Sequence, residues 1–327
     1  KMSQYYKHYK RLYKKYSRII NQNSKFIINW NAIIHKKKSL IESEGRCGGG
    51  ETRSPMFVRY KSFEKNWDAI SFYIDKYITE ENLNHCNSPI NVAILMEPVH
   101  HNNFNFSENL NGISDRFDLI LTHNYDILKK YPRKSIYCIA GAPVIESSSI
   151  GLNLKNKKNL ISTCYSNKKD MEGHIFRHKV VDFLKNIDDI PKIDLYGSGS
   201  PNGAIKLKSD SLINHMFSIV VENGVCDAYF TEKIMDCFLT GNIPIYRGTS
   251  EIGDFFDKRG ILEFNTLEEL EFILKNKVNY DTYKEMLPYT KRNLEITKQY
   301  MYIDDIMLFL TLDFLEKREG SLDRWIK

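Results

Sequence analysis

The residues best suited to chemistry gather in one stretch, residues 217–248, which reads FSIVVENGVCDAYFTEKIMDCFLTGNIPIYRG. Its apolar run 217–221 has the β-branched content of a buried strand. The run stops at Glu222-Asn223-Gly224. Thr231 then stands where a helix carrying Ile234, Met235, Phe238 and Leu239 would be capped, and Gly241 stands where it would stop. A second buried run, 243–246, follows. Strand, loop, helix, strand is one βαβ unit, and such units bind ligands outside the strand's carboxyl end, beside the helix N-terminus. Into that corner the chain puts Glu222, Asn223, Tyr229, Glu232 and Lys233. A solvated crossover loop is the plain alternative for the pattern taken alone. Elsewhere, the apolar run 90–96 (INVAILM) delivers Glu97 at its carboxyl end, where a carboxylate is placed for general-base work. A capping or loop role is the alternative for Glu97. His100 is the rival base, because imidazole titrates near neutrality. The pair His100-His101 lacks the i, i+4 carboxylate-bearing pattern of a metal site and reads as loop surface or acceptor contact.

Around these groups, strands and helices alternate on both sides of a break near residue 155. That alternation predicts two doubly wound α/β domains facing a cleft. Further strands are expected over 117–122 and 135–140 before the break, and over 160–164, 193–197 and 261–264 after it. Helices are expected over 63–77, 173–184 and about 290–315, with Thr266-Leu267-Glu268-Glu269 a capping box opening another. The expected boundaries are 1–55 for a basic helical arm and glycine-rich linker, 56–155 and 156–290 for the two domains, and 291–327 for helices returning onto the first.

The arm is distinct in charge. Eleven Lys and Arg precede the first acidic residue, Glu42, in a chain of 327 residues with net charge +6, so the body itself is slightly acidic. Tyr5, Tyr9, Leu12, Tyr13, Tyr16, Ile19 and Ile20 recur at helical spacing between the basic residues. Such a helix packs its Tyr stripe on the body or a partner chain, or touches an anionic surface. Peripheral membrane contact or self-association through residues 1–45 is the expectation, with no nucleic acid as partner. The triple glycine of 48–50 has no preceding strand and no G-K-[ST] after it, so it reads as a flexible connection. Six cysteines with no C-x-x-C spacing exclude a disulfide framework or zinc site, and Cys138, Cys164 and Cys237 read as buried thiols. Asp188-Asp189 and Asp304-Asp305 do not end strands, so no metal site is expected. No run of about 18 apolar residues and no apolar leader is present, so nothing here is expected to span a membrane.

The string E-N-x5-Y-x-T-E-K, followed by an apolar helix and G-x-I-P-I-Y-x-G, closely resembles the donor-site signature of the α1,3/4-fucosyltransferases, family 10 of the glycosyltransferases. Resemblance continues weakly from about Val92 to about Leu287. It implies a GT-B arrangement and an inverting transfer of L-fucose from GDP-fucose to a glycan hydroxyl in α1,3 linkage. No cofactor or metal would be required. It also implies that Glu97 is the catalytic base, although E-P-V-H stands here in place of the commoner E-S-P. After the turn Tyr165-Ser166-Asn167 the family carries an arginine that neutralises the donor diphosphate. Arg177 falls at that place, with Lys179 and His178 as alternatives. Lys233 and the helix start at Thr231 would share that task, Glu232 would accept hydrogen bonds from ribose or sugar hydroxyls, and Asn223 and Tyr229 would orient the donor. A transferase for another nucleotide-sugar on the same fold, and a non-catalytic glycan- or nucleotide-binding protein, are the alternatives. Relatives with an anchor work in the Golgi lumen, and a microbial or viral enzyme without one would be cytoplasmic.

Overall fold

A computed structural model describes residues 4–22, 28–33, 56–62, 65–66, 68–98, 108–151, 157–201 and 203–322. Two sheets carry the architecture. The first holds β1 (Ile28–Ile33), β2 (Val58–Ser62), β3 (Ile70–Ile74), β4 (Ile90–Leu95), β5 (Leu119–Thr122) and β6 (Ser135–Tyr137), in the order β2-β1-β3-β4-β5-β6. The second holds β7 (Asn159–Cys164), β8 (Ile193–Tyr196), β9 (His215–Val221), β10 (Ile243–Arg247) and β11 (Leu262–Glu263), in the order β11-β10-β9-β7-β8. Every pairing is parallel. Parallel strands need crossovers that cover both faces, and the helices supply them. They are α1 (Gln4–Gln22), α2 (Glu80–Cys86), α3 (Tyr125–Lys130), α4 (Glu172–Leu184), α5 (Glu232–Thr240), α6 (Leu267–Asn276), α7 (Tyr280–Thr297) and α8 (Ile303–Glu319).

Two regions differ from the sequence expectation. Residues 63–77, expected as a helix, contain β3 and a 3-10 turn, Asp75–Tyr77. All five residues of β3, ISFYI, are buried, because an interior parallel strand is covered on both faces. Its β-branched and aromatic content suits that setting better than a helix. Residues 1–55, expected as a helical arm and a linker without strands, include β1, which lies between β2 and β3. The helix of the arm packs its Tyr stripe on the body, one of the readings its spacing allowed. Tyr9, Leu12 and Tyr16 of α1 are buried, and the Tyr16 hydroxyl donates to Glu316 Oε2 of α8 at 2.6 Å. Lys15 pairs with the same carboxylate, and the Tyr5 ring stacks on Phe255 at 5.0 Å. Each buried aromatic or leucine side chain contributes about 1.5–3 kcal/mol relative to exposure, so α1 is an integral layer. The basic residues Lys7, Lys10, Arg11, Lys14 and Arg18 face outward. Residues 44–55, with the triple glycine and Cys47, lie outside the described residues. The other five cysteines are free thiols.

The stretch expected as one helix over about 290–315 is instead the end of α7, a 3-10 turn at Lys298–Tyr300, and α8. Helix α8 is buried along most of its length and packs on α1, β2 and β5, and Arg318 at its end pairs with Asp118 at 2.7 Å. One continuous core runs from Val92, Ile94 and Leu121 of the first sheet, through Met307 and Leu310 of α8, to Ile234 and Phe238 of α5. The two sheets therefore share a hydrophobic seam. The Tyr137 hydroxyl also donates across it to the Ala228 carbonyl at 3.1 Å. Asp305 of α8 accepts the amides of Met56 and Phe57 at 3.0 and 3.1 Å. Among the described residues, no helix is long and apolar enough to cross a membrane.

Candidate functional site

Three neighbouring strands of the first sheet each present a polar residue at or beyond the carboxyl end. β3 ends in Asp75, β4 leads through Met96 to Glu97, and β5 leads to His123. Asp75 adopts a left-handed backbone (φ 45°), and its Oδ1 accepts the amides of Met96 at 2.9 Å and Glu97 at 3.4 Å. Burial, and then the charge of Glu97, push the Asp75 carboxyl up to about 7. His123 is buried, with its Nε2 lying 3.3 Å from the Glu97 carbonyl oxygen. Burial lowers its pKa to about 4, so the ring is neutral at physiological pH. The peptide of Glu97 is thus held by Asp75 at its amide and by His123 at its carbonyl, while the Glu97 side chain is exposed.

The other wall is the loop between β9 and α5. Gly224 packs on Pro98, where an added Cβ would stand 3.1 Å from the proline Cβ. The buried Tyr229 ring sits 5.0 Å from the His123 ring. Burial and the nearby Glu97, Glu222 and Glu232 hold its phenol well above its ordinary pKa, so Tyr229 is a neutral donor between carboxylates. This loop and the Glu97 strand end therefore meet across the cleft.

Behind the loop, α4 brings Arg177 to the end of β9. Its Nε donates to the Val221 carbonyl at 2.9 Å, and Nη2 donates to Val221 and to Asn223 Oδ1 at 2.8 Å. The approach requires glycine at 173, whose added Cβ would lie 1.8 Å from the Glu222 carbonyl oxygen. His178 instead meets the Lys168 carbonyl at 3.2 Å and Lys179 is exposed, so of the three cationic candidates only Arg177 meets Asn223 in these contacts. Glu222 is buried beneath α5. Its oxygens accept the Thr231 amide at 2.9 Å and the Thr231 hydroxyl at 2.7 Å. Thr231 does occupy the N-cap position, but its side chain accepts no helix amide; its hydroxyl is turned instead to Glu222 and Lys233. Lys233 Nζ donates to Thr231 Oγ1 at 2.9 Å and pairs with Glu232 at 3.2 Å and Glu222 at 3.5 Å. Gly241 ends α5 in the left-handed region (φ 72°), as expected of the stop.

Arg177 and Lys233 line one cavity with Thr163, Lys208, Ser218 and Cys237. The structure thus brings together Arg177, Asn223, Glu222, Glu232 and Lys233 on the second sheet, with Tyr229 reaching the Glu97 end of the first. His100 lies outside the described residues. Sequence reasoning missed Asp75, His123 and Lys208. His123 was within reach, since it follows the strand 119–122 just as Glu97 follows its own. Asp75 was hidden by the helical reading of 63–77. Among the described residues no group of three or more His, Cys, Asp or Glu is placed to hold a metal ion.

Residues 154–304 match the family described as glycosyltransferase family 10 (fucosyltransferase), C-terminal part. An α-(1,3)-fucosyltransferase of Helicobacter pylori is 26% identical over 134 residues, which cover 38% of this chain and 27% of that protein. The match thus spans about a quarter of that relative's length. A crystal structure of an α1,3-fucosyltransferase superimposes with a TM-score of 0.53 at 14% identity, covering 89% of this chain and 91% of that one. Its counterpart with GDP-fucose gives 0.51 at 16% identity, over 89% and 90%. The fold is the GT-B arrangement of these neighbours, two parallel α/β domains around a cleft.

Proposed function

We propose that this chain, which belongs through residues 154–304 to glycosyltransferase family 10, transfers L-fucose from GDP-fucose to a hydroxyl of an acceptor glycan, with inversion and in α1,3 linkage. The observation that carries this reading is the facing of Glu97, on one sheet, against the Tyr229 loop that leads into the Arg177–Lys233 cavity on the other. The acceptor oxygen attacks the sugar's anomeric carbon as its proton passes to the Glu97 carboxylate. The bond from that carbon to the β-phosphate oxygen breaks, and its electron pair leaves with GDP. Attack opposite the leaving group inverts the centre.

GDP departs only if its growing charge is neutralised. Arg177, Lys233 and the amide end of α5 supply that neutralisation from the protein itself. Asn223 holds Arg177 in place, Glu222 holds Thr231 and Lys233, and Tyr229 and Glu232 meet the donor's hydroxyls. Acid–base catalysis of this kind contributes about 10²–10⁴-fold. The test is a panel of GDP- and UDP-sugars with a glycan acceptor. Transfer from GDP-fucose and not from UDP-sugars supports the reading. Turnover of a UDP-sugar alone gives the fold to a different donor, and GDP binding without transfer leaves a nucleotide-binding protein.

A further inference from the structure

The cavity lined by Arg177 and Lys233 has a third cation on its wall. Lys208 opens the 3-10 turn Lys208–Ser211, between β8 and β9, and its backbone amide is held by Glu146 Oε1 at 2.9 Å. That bond fixes where the side chain starts, and the side chain reaches the cavity from the wall formed by Thr163, Ser211 and Leu212. The three cations differ in how their charge is already used. Arg177 donates to Val221 and Asn223, and Lys233 donates to Thr231 and pairs with Glu232 and Glu222. No hydrogen bond or ion pair to Lys208 Nζ is found among the described residues. Burial disfavours its charge, but Cys164 and the carboxylates of Asp236 and Glu232 lie near enough to outweigh that and raise its pKa, so the group is an ammonium. Those carboxylates balance its charge at longer range, while the three N–H donors of the half-buried ammonium are left for an acceptor that enters the cavity.

We propose that Lys208 is a donor-binding residue that completes a three-cation cradle and contacts the diphosphate directly. The inference rests on the reading that this cavity takes the diphosphate of a GDP-sugar. Arg177 and Lys233 are oriented by protein acceptors and act mainly as fixed positive charge. Lys208 has its hydrogen-bonding capacity left for the ligand, and it reaches the cavity from the 3-10 turn, near Glu232 and Asp236 of α5. A charge-assisted contact of this kind corresponds to about 10–100-fold in affinity.

The test compares the full-length chain with Lys208→Met, which keeps the apolar stem, and with Lys208→Gln and Lys208→Arg. Each is titrated with GDP by calorimetry and melted with and without GDP. The expected result is about 10–100-fold weaker GDP binding by Lys208→Met and Lys208→Gln, with Lys208→Arg retaining most of the affinity. Without ligand, Lys208→Met should melt somewhat below the parent, since the carboxylates of Asp236 and Glu232 lose a nearby cation, while its GDP-induced shift shrinks. Parent-like GDP affinity in both neutral variants would overturn the role of Lys208 and leave the donor site standing. A lower melting temperature with unchanged affinity would make Lys208 a structural residue. If Lys208→Met does not fold, the Gln variant decides. Absence of GDP binding by the parent protein would remove the donor reading, and this inference with it.

Discussion

At the carboxyl ends of the first sheet the chain places Asp75, Glu97 and His123, whereas at the end of the second it gathers Arg177, Lys208 and Lys233. On the proposed function the first set handles protons. His123, held near 4, is neutral at pH 7, Asp75, held near 7, is partly protonated there, and both grip the Glu97 backbone. The second set handles charge. Its cations are mostly tied to protein acceptors and converge on one cavity. On the proposed function the same strand-end geometry would serve a base on one sheet and an anion cradle on the other, with the Tyr229 loop between them. A reaction needing both a proton acceptor and a stabilised anionic leaving group is served by this division.

The division depends on the first sheet being whole. Deleting residues 1–33 removes α1 and takes the interior strand β1 from between β2 and β3. The expected outcome is loss of a cooperative melting transition, read by circular dichroism. An unchanged sharp melt would mean that neither element belongs to the fold. Next in size, Glu97→Gln keeps the shape and hydrogen-bonding reach of the side chain but cannot take a proton. Transfer should fall about 10²–10⁴-fold while GDP affinity stays within a few-fold. Near-parental transfer would hand the base role to His100 or another group. A large drop in GDP affinity would dissolve the distinction between the two strand ends.

How far these two ends could be read in advance follows from their local chemistry. The stretch from β9 to β10 was legible because each signal is local: a β-branched run, a polar stop, an apolar helix and Gly241. Glu97 was legible for the same reason, at the end of a clear apolar run. β3 was not, since ISFYI is short and follows FEKNWD, whose charge spacing suits a helix, and its true state is set by burial between neighbours. β1 was lost because Asn29 and Asn31 interrupt its apolar run and it forms by pairing with strands later in the chain. Lys208 could not be read at all. Its approach to Arg177 and Lys233 depends on where a 3-10 turn packs, and not on spacing.

On the cationic side, Lys233→Ala should weaken GDP binding about 10–100-fold and reduce transfer with it, because the charge acts in both the ground and transition states. Calorimetry beside transfer rates checks this. It also leaves Thr231 and the buried Glu222 without their ammonium partner, so the melting temperature should drop as well. Unchanged GDP affinity would place the diphosphate elsewhere.

The smallest effect, and the one specific to the proton-handling side, is in the pH dependence of stability. The folded state holds His123 near 4, below the ordinary histidine value of 6.5. Above about 6.5 the ring is neutral in both folded and unfolded chains, and its stabilising contribution is complete. As pH falls from 6.5 towards 4 the unfolded chain takes up a proton that the folded one refuses, so stability is lost. Asp75 has the opposite sign. Its folded carboxyl titrates near 7 against an ordinary 3.8, so its contribution is complete below about 3.8 and is lost as pH rises towards 7. Each shift corresponds to at most about 3–4 kcal/mol, and the two partly cancel between pH 4 and 6.5. Substituting one group should expose the other. Asp75→Asn should leave a protein whose melting temperature falls more steeply on acidification, and His123→Gln one whose melting temperature rises as pH drops from 7 towards 5. His174 is also held near 4 by burial and contributes to every variant alike, so the informative quantity is the difference in slope from the parent. Parallel melting curves for all three proteins from pH 4.5 to 7.5 would mean that neither group's proton affinity is shifted by the fold.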